Sequence, residues 1–252
     1  MINFLKKIRK GFLTTGRTTK YLTYAIGEII LVVIGILIAL AINNASETRK
    51  EQKLEQQLIT RLHKEYQENK DLLTKRVIVL IQSEDASLRI MNLMNKDISQ
   101  VETNTIDSLL FHTIEYSAYN PLSTTLTEVT QTGKLDLISN QKLKDLLGQW
   151  SIQYNHHQGT FRVFEKWVED GILPYLTKNI ASKNVGRFGQ LQWKEISEFE
   201  SDYNVILKDR EFENIMDNHL YHNGLLISEY QNLDNIIDQI LILTKEDSPA
   251  DQ

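Results

Sequence analysis

The sequence predicts an all-α protein: one N-terminal transmembrane helix followed by an antiparallel helical bundle, with a long first helix continuing from the membrane span. Three observations predict it. Ala25 to Ile42 reads AIGEIILVVIGILIALAI, eighteen residues with one charge, and at about 1.5 Å per residue such a helix covers about 27 Å, close to the depth of a hydrocarbon core. Between Gly35 and Pro121 there is neither Gly nor Pro, so no residue there interrupts a helix. Beyond the span, apolar residues recur at intervals of three and four.

Composition narrows the field further. With 252 residues, 41% hydrophobic and 24% charged, the chain is one ordinary domain or one domain with an appendage, and neither disordered nor fibrous. Eleven Gly and three Pro argue against a loop-rich β-sandwich and against a Gly-rich phosphate cradle. The absence of Cys excludes disulfides, thiolate zinc sites, iron–sulfur clusters, thiol nucleophiles and a lipid-modified cysteine.

The charge is unevenly spread. Residues 1–24 carry Lys6, Lys7, Arg9, Lys10, Arg17 and Lys20 with no acid, whereas from Asn43 onward 22 Lys and Arg face 32 Asp and Glu, a net −10. A basic leader before an apolar span marks the cytoplasmic side, and Tyr21 and Tyr24 suit the headgroup level. The expected organisation is a cytoplasmic leader at 1–24, a transmembrane helix at 25–42, an extracytoplasmic bundle at 43–246 and a polar tail at 247–252. In a bacterium this is a single-pass inner-membrane protein with a periplasmic domain. An acidic domain repels phosphate backbones, so nucleic acid is not an expected partner. A cleavable signal peptide, with Ala39-Leu40-Ala41 as its site, competes with this reading, but the basic region exceeds twenty residues and the helical pattern runs on past Asn44.

Two features of the span go beyond anchoring. Glu28 is an intramembrane carboxylate, a position open to proton-linked or partner-pairing roles and also to snorkelling toward Lys20. Gly27, Gly35 and Ala39 fall on one face, and Gly35-x-x-x-Ala39 is a small-residue pair that would let two helices approach.

The stretch Lys20 to Glu47, KYLTYAIGEIILVVIGILIALAINNASE, resembles the opening of a family of uncharacterised single-span membrane proteins of unknown function abundant in flavobacterial genomes. Thr125 to Leu147, with Gly133-Lys134-Leu135 and Asn140 before a Leu-rich helix, and Glu211-Phe212-Glu213-Asn214 are similar to that family too. Where relatives tend to show Trp and Asn after Asn43-Asn44, this chain has Ala45 and Ser46. The resemblance implies location and architecture, and no activity.

The exported part reads as helices almost throughout. Leu58, Leu62, Tyr66, Asn69, Leu73, Val77 and Leu80 form a seam with helical spacing. Leu88, Met91, Leu93 and Met94 continue or restart it. Ile106, Leu109, Leu110 and Ile114 mark a short helix after a polar turn at Glu102 to Thr105. Asn120-Pro121 is a break, and Ser123 or Thr124 is the expected cap of a helix ending at Gly133. After Ser139-Asn140, a long helix holds Leu143, Leu146, Leu147, Trp150 and Tyr154, then Phe161, Phe164, Trp167 and Val168, up to Leu173-Pro174. Ala181 to Gln192 reads as a loop. A last helix from Glu211 to Thr244 carries Phe212, Ile215, Leu220, Leu226, Tyr230, Leu233, Ile237, Ile240 and Leu241. Four or more long helices with short joins are expected to pack antiparallel.

No catalytic, cofactor-binding or metal-binding residue is assigned, and no cofactor is expected. His219 and His222 lie three apart and could face one metal with Asp217 or Glu213, but no Glu-x-x-His and no H-E-x-x-H occurs, so surface or capping histidines are expected. His156 and His157 are adjacent, point about 100° apart on a helix and are read as solvated. Asp234 with Asp238 reads as a solvated acidic face in preference to an acid/base dyad. Trp150, Tyr154, Phe161, Phe164 and Trp167 read as core packing in preference to a ligand-stacking pocket. Trp193 is the tryptophan that suits a binding surface.

These readings favour a membrane-anchored extracytoplasmic interaction or scaffold protein, with the bilayer and a protein partner or a second copy as its partners, and no enzymatic activity. The alternatives are a ligand-sensing module signalling through a membrane partner and an envelope enzyme.

Overall fold

In the computed structural model, residues 18–191 and 193–245 are described; Lys6, Lys7, Arg9, Lys10 and Arg17 of the leader, Gln192 and the 247–252 tail lie outside them. Among the described residues there is no strand. The chain divides into two units, Met1–Gln56 and Gln57–Gln252. Helix α1, Thr18–Leu93, contributes to both with 76 residues.

Between Ile29 and Ile42 α1 is apolar on every side: Ile29, Leu31, Val32, Ile36, Leu37 and Ile42 are all exposed. Its most apolar eighteen-residue window has a mean hydropathy of 2.9 and none of it is buried. Burying a Leu or Ile side chain stabilises by about 1.5–3 kcal/mol, so leaving such a run in water would forgo a large favourable term. The helix is long and apolar enough to cross a membrane, and its exposure is compatible with single-pass anchoring.

In the second unit three long helices carry the bundle, where four or more were expected: α1 from Gln57 onward, α4 (Gln141–Trp167) and α8 (Arg210–Thr244). The shorter elements are α2 (Thr103–Ile114), α3 (Thr124–Gln131), α5 (Leu173–Asn179), α6 (Ser182–Gly186) and α7 (Tyr203–Ile206). Cross-links fix the directions. His63 meets Thr244, Lys70 meets Asp238, and Leu80 meets Asn223, so α8 runs antiparallel to α1. His157 packs on Tyr230 and Phe164 on His219, so α8 is antiparallel to α4 as well.

The buried stripe of α8 is Phe212, Met216, His219, Asn223, Leu226, Tyr230, Leu233, Ile237, Ile240 and Thr244, alternating steps of four and three as a helix facing two neighbours requires. Ile215, Leu220 and Leu241, expected in that stripe, are only partly buried. Their places are taken by Met216, His219 and Asn223. Two of the polar members are bonded through one atom each, Asn223 donating to the Leu80 carbonyl at 3.1 Å and His219 Nε2 lying 3.3 Å from the Ser83 hydroxyl, while Asn223 Oδ1 and His219 Nδ1 are buried without a partner. On α1, likewise, Leu88 is exposed while Ser83, Ala86 and Ser87 face inward. These small side chains let α1 approach α2 closely enough for Ser83 to donate to the Thr113 carbonyl at 2.9 Å.

Asn140 caps α4 by accepting from the Leu143 N–H, and Gly133 takes a left-handed φ of 70° after α3. Ser123 occupies the N-cap position of α3 but makes no side-chain capping bond. The predicted stop at Leu173-Pro174 is not a stop. The chain passes from α4 through a π-turn at Val168–Ile172 into α5, with Pro174 in the first turn of α5, where a missing N–H costs little. The Ala181 to Gln192 loop contains α6.

Candidate functional site

The residues with most chemistry converge on one face of α4. Trp150, Tyr154, His157, Phe161 and Phe164 are spaced by four and three, which stacks them on one side of a helix. Trp150 and Tyr154 lie with ring centroids 6.2 Å apart and planes 6° from parallel. Tyr119, on the extended segment between α2 and α3, meets Trp150, Tyr154, His157 and Tyr230 edge-on at 6.0–6.3 Å. Its hydroxyl donates to the Asn69 carbonyl at 3.2 Å. That segment is pinned by Asn69, whose side chain donates to the Leu122 carbonyl at 2.8 Å and accepts from the Leu122 N–H at 2.6 Å.

Between this segment and α4 is a cavity of about 240 Å³, lined by Ala118, Tyr119, Asn120, Tyr154, His157, Gln158, Phe161 and Arg162. His157 is 1% exposed and its Nδ1 has no hydrogen-bond partner; nor do the buried hydroxyls of Tyr66 and Tyr230. Burial, helped by neighbouring His156, lowers the His157 pKa to about 4. The ring is therefore neutral at physiological pH and offers one donor and one acceptor. The wall mixes aromatic rings with Asn120, Gln158 and Arg162, so the cavity offers both stacking faces and polar groups to a small molecule.

A family model described as "Family of unknown function (DUF6090)" matches residues 28–157, more than half of the chain. The protein belongs to this family. No curated protein matches it, and neither does any solved structure. The family segment takes in Glu28, the whole extended segment and α4 as far as His157, whereas Phe161, Arg162 and α8 lie beyond it.

The structure corrects two readings of histidine. His157 is not solvated but sits in the aromatic core, while its neighbour His156 is exposed and lies 3.1 Å from Glu229. The 100° step between adjacent helical residues sends one ring inward and the other outward. His219 is neither a surface nor a capping residue. It is fully buried, against Phe164 and Ser83, and burial lowers its pKa to about 4. His222, half-buried, packs against Trp167 at 5.7 Å. Neither Asp217 nor Glu213 joins them, and among the described residues no three His, Asp or Glu side chains are grouped as metal ligands.

Asp234 and Asp238 both reach Lys70, at 2.8 and 2.7 Å. They form a salt-bridged clamp between α8 and α1. Trp193 is exposed, in a stretch that also exposes Leu191, Ile196 and Phe199.

Three polar groups were missed. Glu65 is buried and accepts the Thr125 and Leu126 N–H groups. Asn69 lies on the Leu58 to Leu80 seam, and a polar residue on an apolar seam is the sequence signal of such a clasp. Asp107 is buried and accepts from the Tyr203 hydroxyl, and burial raises its pKa. Nothing local in the sequence distinguishes it.

Proposed function

We propose that this protein is a single-span, membrane-tethered module that presents its helical bundle on the extracytoplasmic side and works by binding a protein partner, not by catalysis. The observation that carries the reading is the exposed apolar stretch: Leu191, Trp193, Ile196 and Phe199 are 68, 48, 63 and 82% exposed within nine residues. Large apolar side chains exposed this close together in the chain suit a partner interface. The basic leader supports the orientation, and the acidic bundle argues against nucleic acid. The Lys20 to Glu47 opening supports a flavobacterial origin and, with it, a bacterial inner membrane and a periplasmic bundle.

A reporter fused after Gln252 is expected to behave as exported; cytoplasmic behaviour overturns the orientation. Crosslinking in intact membranes is expected to capture a stoichiometric protein from wild type and to lose it in W193S/F199S. Capture that survives the double substitution, or capture of a second copy alone, overturns the partner reading. The aromatic cavity favours a second reading, a ligand-sensing module, because His157, which lines it, has a buried ring nitrogen without a partner.

A further inference from the structure

The helix just beyond the span is charged in a way that its own stability does not favour. Arg49 and Lys53 are four apart, as are Glu47 with Glu51 and Glu51 with Glu55. Like charges at this spacing destabilise a helix, and Glu47 with Lys50, three apart, is the one opposite pair in the stretch that offsets them. The effect of the arrangement is segregation. At about 100° per residue, Arg49, Lys50 and Lys53 fall within about 60° of Ser46, whereas Glu47, Glu51 and Glu55 lie about 100–180° away. Ile42, Ala45, Ser46, Arg49, Lys50 and Lys53 line one shallow concavity of about 490 Å³. All of these residues are exposed, and the three cations make no ion pair among the described residues.

Depth selects the occupant. Arg49 lies about 10 Å along the axis from Ile42, the last apolar residue of the span, and Lys53 about 16 Å. Side chains on a helix lean toward its N-terminus, here back toward the bilayer, and long cationic chains extend that reach. The headgroup layer is about 5–7 Å thick on each side of the hydrocarbon core, so Arg49 and Lys50 reach it and Lys53 stands one turn behind. An Arg fork and two ammonium groups at that level complement phosphate.

We propose that Ser46, Arg49, Lys50 and Lys53 form a docking strip for the headgroup phosphate of an anionic phospholipid on the side of the membrane that the bundle occupies. The proposal rests on the tethered reading above. It also bears on self-association. Gly35 and Ala39 lie within about 20° of the same helical line, so a parallel dimer packed through that small-residue pair would set Arg49 and Lys53 against their own copies. The strip thus disfavours a parallel homodimer on this face and leaves the face to lipid.

The test uses the full-length chain in phosphatidylcholine vesicles containing 30% phosphatidylglycerol, with a photoreactive benzophenone side chain at Ser46 or, on the opposite face at similar depth, at Thr48. Captured lipid is identified by mass spectrometry. In the tethered reading the leader precedes the span and Ser46 and Thr48 follow it, so neither position reports on the leader cations. Phosphatidylglycerol is expected to be captured at Ser46 at least about three-fold above its share of the bilayer and at Thr48 in proportion to it, and R49Q/K50Q/K53Q is expected to remove the excess. Equal shares at the two positions, or an excess that survives the triple substitution, overturns the proposal. Flotation with the vesicles is scored first: a chain that does not float overturns the tether as well, whereas one that floats without the Ser46 excess overturns the lipid strip alone.

Discussion

The Glu65 carboxylate on α1 caps α3 from outside: its Oε2 accepts the Thr125 N–H at 2.6 Å, and its Oε1 accepts the Leu126 N–H at 3.2 Å. The first N–H groups of a helix have no intrahelical acceptor and usually rely on a neighbouring side chain. Here Ser123 makes no such bond, and a residue sixty positions earlier does the work. The negative charge also faces the positive end of the α3 dipole. One buried side chain therefore fixes where α3 begins and how it docks on α1.

Replacing Glu65 by Leu is expected to destabilise the bundle by about 2–3 kcal/mol, because two N–H groups stay buried without an acceptor. Glu65→Gln keeps one acceptor and loses the charge, so a smaller cost of about 1 kcal/mol is expected. Denaturant unfolding of the full-length protein in detergent, followed by tryptophan fluorescence, separates the two. Equal losses for both variants would show that packing and not capping is what Glu65 supplies.

Stability is expected to fall on acidification before most carboxylates titrate. His157 and His219 have pKa values lowered to about 4 by burial, against an ordinary value of 6.5. Above about pH 6.5 both are neutral in the folded and unfolded states, and their contribution is fully present. As the pH falls from 6.5 toward 4, the unfolded chain binds protons that the fold refuses, so stability is lost at up to about 1.4 kcal/mol per pH unit for each ring. Unfolding free energies between pH 7 and 5 are expected to drop for wild type and to flatten in H157F/H219N. An unchanged slope in that variant would place the acid sensitivity elsewhere.

The contrast between these sites and the rest of the fold shows what a sequence makes visible. The long apolar N-terminal helix, the start of α4 just after Asn140 and most of the Leu58 to Leu80 seam follow from local spacing, and the structure has all three. Glu65, His219 and Asp107 could not be found that way, since what makes each tolerable is a partner far along the chain: Thr125, Ser83 and Tyr203. The same limit explains the shifted α8 stripe. Met216, His219 and Asn223 look no better than Ile215 and Leu220 until the positions of α1 and α4 are known. The π-turn was hidden because a proline usually reads as a helix end, and the wide turn that lets α5 continue has no composition of its own.

The Lys70 clamp is expected to matter less than its geometry suggests. Lys70 is largely covered, but Asp234 and Asp238 are substantially exposed, and pairs of that kind contribute about 0–1 kcal/mol. Lys70→Met is expected to cost under about 1 kcal/mol and the cost to shrink further in 1 M salt, where screening is nearly complete. A loss above about 2 kcal/mol that ignores salt would mean that the Lys70 stem, packed along α8, is the structural element and the charges are incidental.

His157 offers the sharpest separation of structure from function. Its Nδ1 is buried without a partner, and an unpaired buried polar atom costs about 1–3 kcal/mol. Phe fills a similar volume among Tyr119, Tyr154, Phe161 and Tyr230 and carries no polar atom. His157→Phe is therefore expected to raise the unfolding free energy by about 1 kcal/mol at pH 7, and by more at pH 5, where the imidazole resists its proton. A site that gains stability when its polar residue is removed is one shaped by something other than stability. If the variant is instead destabilised at pH 7, His157 is a packing residue with a hydrogen bond that forms in solution, and the cavity beside it loses its claim to a ligand.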